Sequence, residues 1–191
     1  MSNLKVPVGI SNKHIHLSEA DIITLFGEGA SLTHKKDLSQ IGQYAAEETV
    51  EIVGPKGSLK NIRILGPARK KTQVEIARTD SFVLGLNPPV RDSGDLSGSE
   101  PIKIIGPMGF VELTEGCILA KRHVHMNPNE AEAYGLKDRD LLKVETGGER
   151  GVVFKEVLIR VDPTYILEMH IDTDEANCAL LKNGDLLSIV K

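Results

Sequence analysis

Apolar and polar residues alternate with a period of two through much of the chain, the spacing of a strand with one buried face. TVEIVGPKGSLKNIRILGP (49–67), KIIGPMGFVELTEG (103–116) and LLKVETGGERGVVFKEVLIRVDP (141–163) each place β-branched runs on both sides of a Gly-rich turn, which predicts three hairpins. TQVEIARTD (72–80) and ILEMHIDTD (166–174) read as single strands closing on Thr-Asp. GDL at 94–96 and 184–186, and RDL at 139–141, each stand ahead of a further short strand. Helical spacing follows Ser18 and Asn127, which look like N-caps, with Asp21 and Glu130 three residues later and Pro128 at a first helical position. The pattern predicts a mainly β protein with two helices at most.

The two helical segments belong to a repeat. His14 and His123 are 109 positions apart, and GISNKHIHLSEAD matches ILAKRHVHMNPNEAEAYGL beyond the histidines. The hairpins at 49–67 and 141–163 and the strands at 72–80 and 166–174 follow in the same order. Short strands in a twofold repeat predict two small β-barrel domains with short capping α-helices. NPPVRDSGDLSGSE (87–100) is the best linker candidate.

Composition narrows the function. The 191 residues carry a net charge of −4, so no basic field exists to hold a nucleic acid. No apolar run approaches the ~20 residues of a membrane span, and the first residues show no signal-peptide core, which predicts a cytoplasmic protein. Tryptophan is absent, so the core must rest on Ile, Leu, Val and Ala. Cys117 and Cys178 stand in apolar company and are expected to be reduced, buried thiols.

Four of the six histidines form two His-x-His pairs, His14/His16 and His123/His125. On a strand, residues i and i+2 share a face about 6.5–7 Å apart, so two imidazoles converge on one ion from a rigid support. Each pair needs a third ligand, and the repeat nominates Glu75 and His170, which differ by one residue in their distance to the following Thr-Asp. A one-residue bulge would reconcile them. Each set leaves a tetrahedral ion one open position, as in a catalytic zinc site, although Co²⁺, Fe²⁺ and Ni²⁺ suit the same donors. Arg69 follows a Gly-Pro corner six residues before Glu75 and offers a bidentate fork for phosphate. The turns GPKG and GGER lack the strand-to-helix setting of a phosphate loop.

VPVGISNKHIHLS, GPARKKTQVEIARTD, AKRHVHMNPNEAEAYGLKDRDLLKVE and EMHIDTDEAN together resemble the PduL-type phosphotransacylase (phosphate propanoyltransferase) family, from about Val6 onward. The resemblance implies a first barrel over 13–100, with 27–47 as a small lid sheet over the active site. It implies a second barrel from 1–12 plus 101–191, whose first strand comes from the N-terminus. It implies acyl exchange, of a propanoyl or acetyl group, between coenzyme A and inorganic phosphate at a two-metal site. His14, His16 and Glu75 would hold one zinc, His123, His125 and His170 the other, and Arg69 would be the catalytic residue handling phosphate. Many members carry an N-terminal helix that directs them into a bacterial microcompartment for propanediol degradation. No such helix precedes VPVGIS, which leaves room for a cytosolic role in acetate metabolism. Self-association and contact with a microcompartment shell are compatible with the family. A metal-dependent thioester hydrolase and a non-catalytic metal-binding protein are the competing expectations.

Overall fold

The computed structural model describes residues 4–190. The chain opens with β1 (Lys5–Ser11) and continues through β2 (His14–His16), α1 (Glu19–Phe26), β3 (His34–Asp37), β4 (Tyr44–Val53) and β5 (Ser58–Gly66). Next come β6 (Gln73–Glu75), α2 (Arg78–Leu84), β7 (Val90–Arg91), β8 (Glu100–Ile105) and β9 (Phe110–Ala120). The remainder is β10 (His123–Met126), α3 (Pro128–Tyr134), β11 (Leu141–Glu145), β12 (Val153–Val161), β13 (Glu168–Asp172), α4 (Thr173–Cys178) and β14 (Leu186–Val190). No described helix is long and apolar enough to cross a membrane.

These elements make two compact units, residues 12–120 and residues 1–11 with 121–191. In the first, β4, β5, β2, β6, β9 and β8 pair in a closed ring. In the second, β1, β13, β10, β12, β11 and β14 do the same. Closure removes the exposed sheet edges that short strands would otherwise present. Each ring has its own apolar centre, built on Ile15, Ile52, Ile64 and Ile104 in the first and on Val8, Val124, Ile159 and Met169 in the second.

The repeat runs deeper than twofold. Within the first barrel β2 pairs in parallel with β5, and β6 in parallel with β9, while β2 and β6 are antiparallel. The second barrel repeats this with β10/β12, β13/β1 and the antiparallel pair β10/β13. The chain is therefore four copies of strand, helix and two-strand ladder, and the last copy takes its final strand, β1, from the N-terminus.

Each copy keeps its helix by capping. Ser18 and Asn127 accept from the backbone N–H of Asp21 and Glu130, with Pro128 at the start of α3. Among the described residues the helices are four rather than two, because α2 and α4 lie inside segments that alternate like strands. Asp172 accepts from the N–H of Glu175, whose carboxylate accepts from the N–H of Asp172, so ThrAspGlu starts a helix instead of ending a strand.

The two Gly-Pro-x-Gly turns close helices too. Lys56 N–H donates to the Leu84 carbonyl at the end of α2, and Met108 N–H to the Leu25 carbonyl at the end of α1, both at 3.0 Å. A Cβ on Gly54 would lie 2.3 Å from the Leu84 oxygen, and one on Gly106 2.5 Å from the Leu25 oxygen. Only glycine lets the turn approach this closely.

Three expectations need correction. Residues 87–100 are no linker: β7 pairs with Leu119 and Ala120, and the segment stays inside the first barrel. The division falls at 120/121 rather than 100/101, because β8 and β9 are needed to close that barrel. Cys178 is exposed on the short α4, its thiol donating to the Glu175 carbonyl, whereas Cys117 is buried and its thiol pushed up to about 12 by burial, then by Glu100. Within 27–47, β3 pairs antiparallel with β4, extending the sheet at its edge.

Candidate metal centres

In each barrel the antiparallel pair carries the chemistry. His14 lies opposite Glu75 and His16 opposite Gln73 across β2/β6. His123 lies opposite His170 and His125 opposite Glu168 across β10/β13. Glu75 and His170 thus hold the same register position, and neither pairing contains a bulge. The one-residue mismatch seen in the sequence comes after the ligand: Ala77 and Asp172 are the equivalent N-caps, so Asp80 matches Glu175 rather than Asp174.

The structure brings together His14, His16 and Glu75 in the first barrel, and His123, His125 and His170 in the second; in each set the ligand atoms lie within 4.8 Å of one another. His14 Nδ1 is 2.7 Å from the Asn12 carbonyl, which can only accept, so Nδ1 carries the proton of that bond, and Nε2 lies 3.4 Å from Glu75 Oε2. His16 bonds to the Leu65 carbonyl while its buried Nδ1 has no hydrogen bond, so Nε2 makes that bond. Burial, reinforced by His14 and Arg69, holds His16 down to about 3, so the ring is neutral at neutral pH. Burial works against ionising Glu75, but His14, His16, a hydrogen bond from Ser93 and Arg69 overcome it and hold the carboxyl down to about 2.

The second set is all imidazole. His123 Nδ1 donates to the Lys121 carbonyl at 2.9 Å. Both ring nitrogens of His125 and Nε2 of His170 are buried without a hydrogen bond. His123 and His170 stack with centroids 5.0 Å apart and planes 8° apart, and His125 stacks on Tyr165 at 3.9 Å. Burial, with His123, His170 and Arg160 adding to it, depresses His125 to about 2.

Buried ring nitrogens without partners are costly unless an ion meets their lone pair or an acceptor meets their N–H. Two imidazoles with one carboxylate, or three imidazoles, converging on one point fit a divalent transition-metal ion. The donor set is not that of Mg²⁺ or Ca²⁺, which take oxygen ligands.

Around Glu75 the first barrel adds a polar chain. Arg69 is placed by its backbone, whose N–H donates to the Leu17 carbonyl at 2.8 Å. Its Nη1 donates to Ser93 Oγ at 3.0 Å, and Ser93 donates to Glu75 Oε1 at 3.0 Å. Gln73 Nε2 donates to Glu75 Oε1 at 2.5 Å and to Ser93 Oγ at 2.9 Å, while its Oε1 accepts from Gly94 N–H. In the second barrel the Met126 carbonyl, which matches that of Leu17, accepts instead from Asp162. The arginine has no counterpart there.

Sequence reading missed Gln73 and Ser93. Gln73 was legible, since Gln-x-Glu has the same i, i+2 spacing as His-x-His. Ser93 had no such signal, as it sits in irregular chain between β7 and β8.

Residues 7–182 match the family model described as phosphate propanoyltransferase. A phosphate propanoyltransferase from Thermotoga maritima is 60% identical over 96% of this chain and 88% of its own length. Proteins of the same name from Rhodopseudomonas palustris (53% identical, 98% and 83% covered) and Listeria monocytogenes (45%, 97% and 87%) align as fully. With its fold, its ligand clusters and these relatives in agreement, the chain belongs to the phosphate propanoyltransferase family and is an acyltransferase.

Proposed function

We propose that the protein exchanges a short acyl group, propanoyl or acetyl, between coenzyme A and inorganic phosphate, with His14, His16 and Glu75 holding one divalent ion and His123, His125 and His170 another. Zn²⁺ is the favoured ion for such sets. When bound it would supply Lewis acidity toward the thioester carbonyl and a soft partner for the thiolate.

The observation that carries the reading is the Arg69–Ser93–Glu75 chain, in a member of this family. Phosphate is already an anion and needs positioning more than deprotonation. A guanidinium oriented by Ser93 carries the planar fork that matches two phosphate oxygens. A phosphate oxygen then forms the new bond to the acyl carbon while the carbon–sulfur bond breaks, the sulfur leaving with the electron pair as thiolate. Holding the nucleophile in line contributes about 7 kcal/mol or more through effective molarity.

The test is CoA release from propanoyl-CoA with and without phosphate, with acyl phosphate trapped as its hydroxamate and metal content measured on the same sample. Phosphate-dependent release with stoichiometric acyl phosphate is expected. Release indifferent to phosphate would make the protein a thioester hydrolase, and bound metal without turnover a non-catalytic metal carrier.

A further inference from the structure

The four-copy architecture puts a pair of same-face residues on the leading strand of every copy: His14/His16, Gln73/Glu75, His123/His125 and Glu168/His170. Six of these eight residues form the two ligand clusters. The remaining two, Gln73 and Glu168, occupy matching places, each two residues before the third ligand of its barrel and opposite the second histidine.

Both touch that third ligand, and their chemistry is matched to it. Where the ligand is a carboxylate, Glu75, its neighbour is an amide whose Nε2 donates to it. Where the ligand is an imidazole, His170, its neighbour is a carboxylate, with Glu168 Oε2 3.1 Å from His170 Nε2. Both side chains of the second pair are largely shielded, at 16% and 18% exposed. Nε2 is buried and makes no hydrogen bond, so the oxygen lies at bonding distance but off the N–H axis. The fold makes room for this carboxylate. A Cβ on Gly9, which pairs with His170, would stand 2.7 Å from the Glu168 carboxyl carbon and 2.9 Å from Oε1.

We infer that Glu168 is the positioning residue of the three-histidine centre: it takes the Nε2–H of His170 and thereby fixes Nδ1 as the nitrogen offered to the ion. His16, the second residue of its own leading-strand pair, is likewise held by one bond, to the Leu65 backbone, while its buried Nδ1 has no hydrogen bond. A carboxylate behind a ligating imidazole orients the ring and raises its basicity, and loss of such a partner lowers metal affinity by about 10–100-fold. The inference rests on reading the clusters as metal centres.

The experiment titrates metal-free protein with Zn²⁺ against a competing chelator. Wild type is expected to take two ions per chain. Glu168→Gln, which keeps shape and removes charge, is expected to weaken one of them about 10-fold and leave the other unchanged. Gly9→Ala leaves Glu168 chemically intact but displaces its carboxylate, and it should weaken the same ion; the double variant should be no weaker than the worse single. Long-range ¹⁵N–¹H spectra of the zinc-loaded protein should show His170 bound through Nδ1 and protonated at Nε2. Wild-type affinity for both ions in Glu168→Gln, or His170 bound through Nε2, overturns the role of Glu168 while leaving the metal reading standing. A wild-type chain that takes up fewer than two ions overturns the metal reading itself. Gly9→Ala carries the test if Glu168→Gln fails to fold.

Discussion

Arg69 Nη1 donates to Ser93 Oγ at 3.0 Å, and the same hydroxyl donates to the carboxylate of Glu75. One small side chain thus joins a cation suited to phosphate to the acid of the first candidate metal cluster. Removing Ser93 takes away one hold on the guanidinium and strips Glu75 Oε1 of one hydrogen-bond donor, while Gln73 still donates to the same oxygen. Ser93→Ala should therefore raise KM for phosphate and lower kcat/KM by about 10-fold or more, at a stability cost of only about 1 kcal/mol, with both ions retained. Arg69→Ala should cut phosphate-dependent turnover further with metal content again intact. Steady-state kinetics in phosphate, paired with elemental analysis, check both; Arg69→Ala at the wild-type rate would remove arginine from the mechanism.

Metal-free protein should lose stability as the medium is acidified. His16 is held down to about 3 and His125 to about 2, against 6.5 for an unstrained imidazole. Below pH 6.5 the unfolded chain therefore binds protons that the folded chain refuses, and stability falls as pH falls, by up to about 1.4 kcal/mol per pH unit for each ring. Glu75 adds a second window with the same sign: its folded value of about 2 lies under the ordinary 4.5, so its contribution is complete above 4.5 and disappears as pH drops toward 2. Urea midpoints at pH 8, 6.5 and 5.5 should fall slightly between the first two and more steeply to the third. Equal midpoints throughout would mean that these rings are not buried as neutral imidazoles.

Much of this was legible before the fold. The His-x-His repeat, Glu75, His170 and the caps at Ser18 and Asn127 follow from spacing, because i, i+2 on a strand and i, i+3 at a helix start are local geometries. Ser93 and the membership of residues 87–100 in the first barrel depend on parallel pairing of Val90–Arg91 with Leu119–Ala120, a contact between distant stretches that leaves no local pattern. The fourfold organisation was hidden for a similar reason. Gln73-x-Glu75 and Glu168-x-His170 share spacing with His-x-His but not residue type, and the fourth copy is split between the two ends of the chain.

The Gly-Pro-x-Gly turns show a sequence feature whose role needed coordinates. Gly106 sits against the Leu25 carbonyl, where a Cβ would be 2.5 Å from the oxygen and 2.7 Å from the Leu25 Cβ. Backbone cannot yield there without losing the bond from Met108 N–H that closes α1. Gly106→Ala should cost about 1–3 kcal/mol, as overpacking does, with little change in metal affinity per folded molecule. Gly94→Ala, at a positive φ with nothing within 4 Å, meets no such obstacle and should lose only the price of the left-handed backbone. Thermal melts that rank the two the other way round would contradict this account of the turn.

The equal register of Glu75 and His170 makes the first centre convertible. Glu75→His would put three imidazoles on β2 and β6, in the pairing that β10 and β13 already use. Yet the new ring would face Gln73, whose amide nitrogen is placed to donate and whose oxygen is engaged by Gly94 N–H. An imidazole N–H would find no acceptor, so Glu75→His alone should bind metal at the first site more weakly than wild type. Adding Gln73→Glu supplies the carboxylate that Glu168 supplies in the other barrel, and affinity should recover by about 10-fold or more. Glu75→His alone replaces an anionic group with a neutral one, which lessens the negative charge next to Arg69, whereas the double variant restores that charge at position 73, whose side chain also reaches Ser93. Competition titrations with Zn²⁺ on the single and double variants measure the recovery; a double variant no tighter than the single would show that the matched neighbour does not govern affinity at this position.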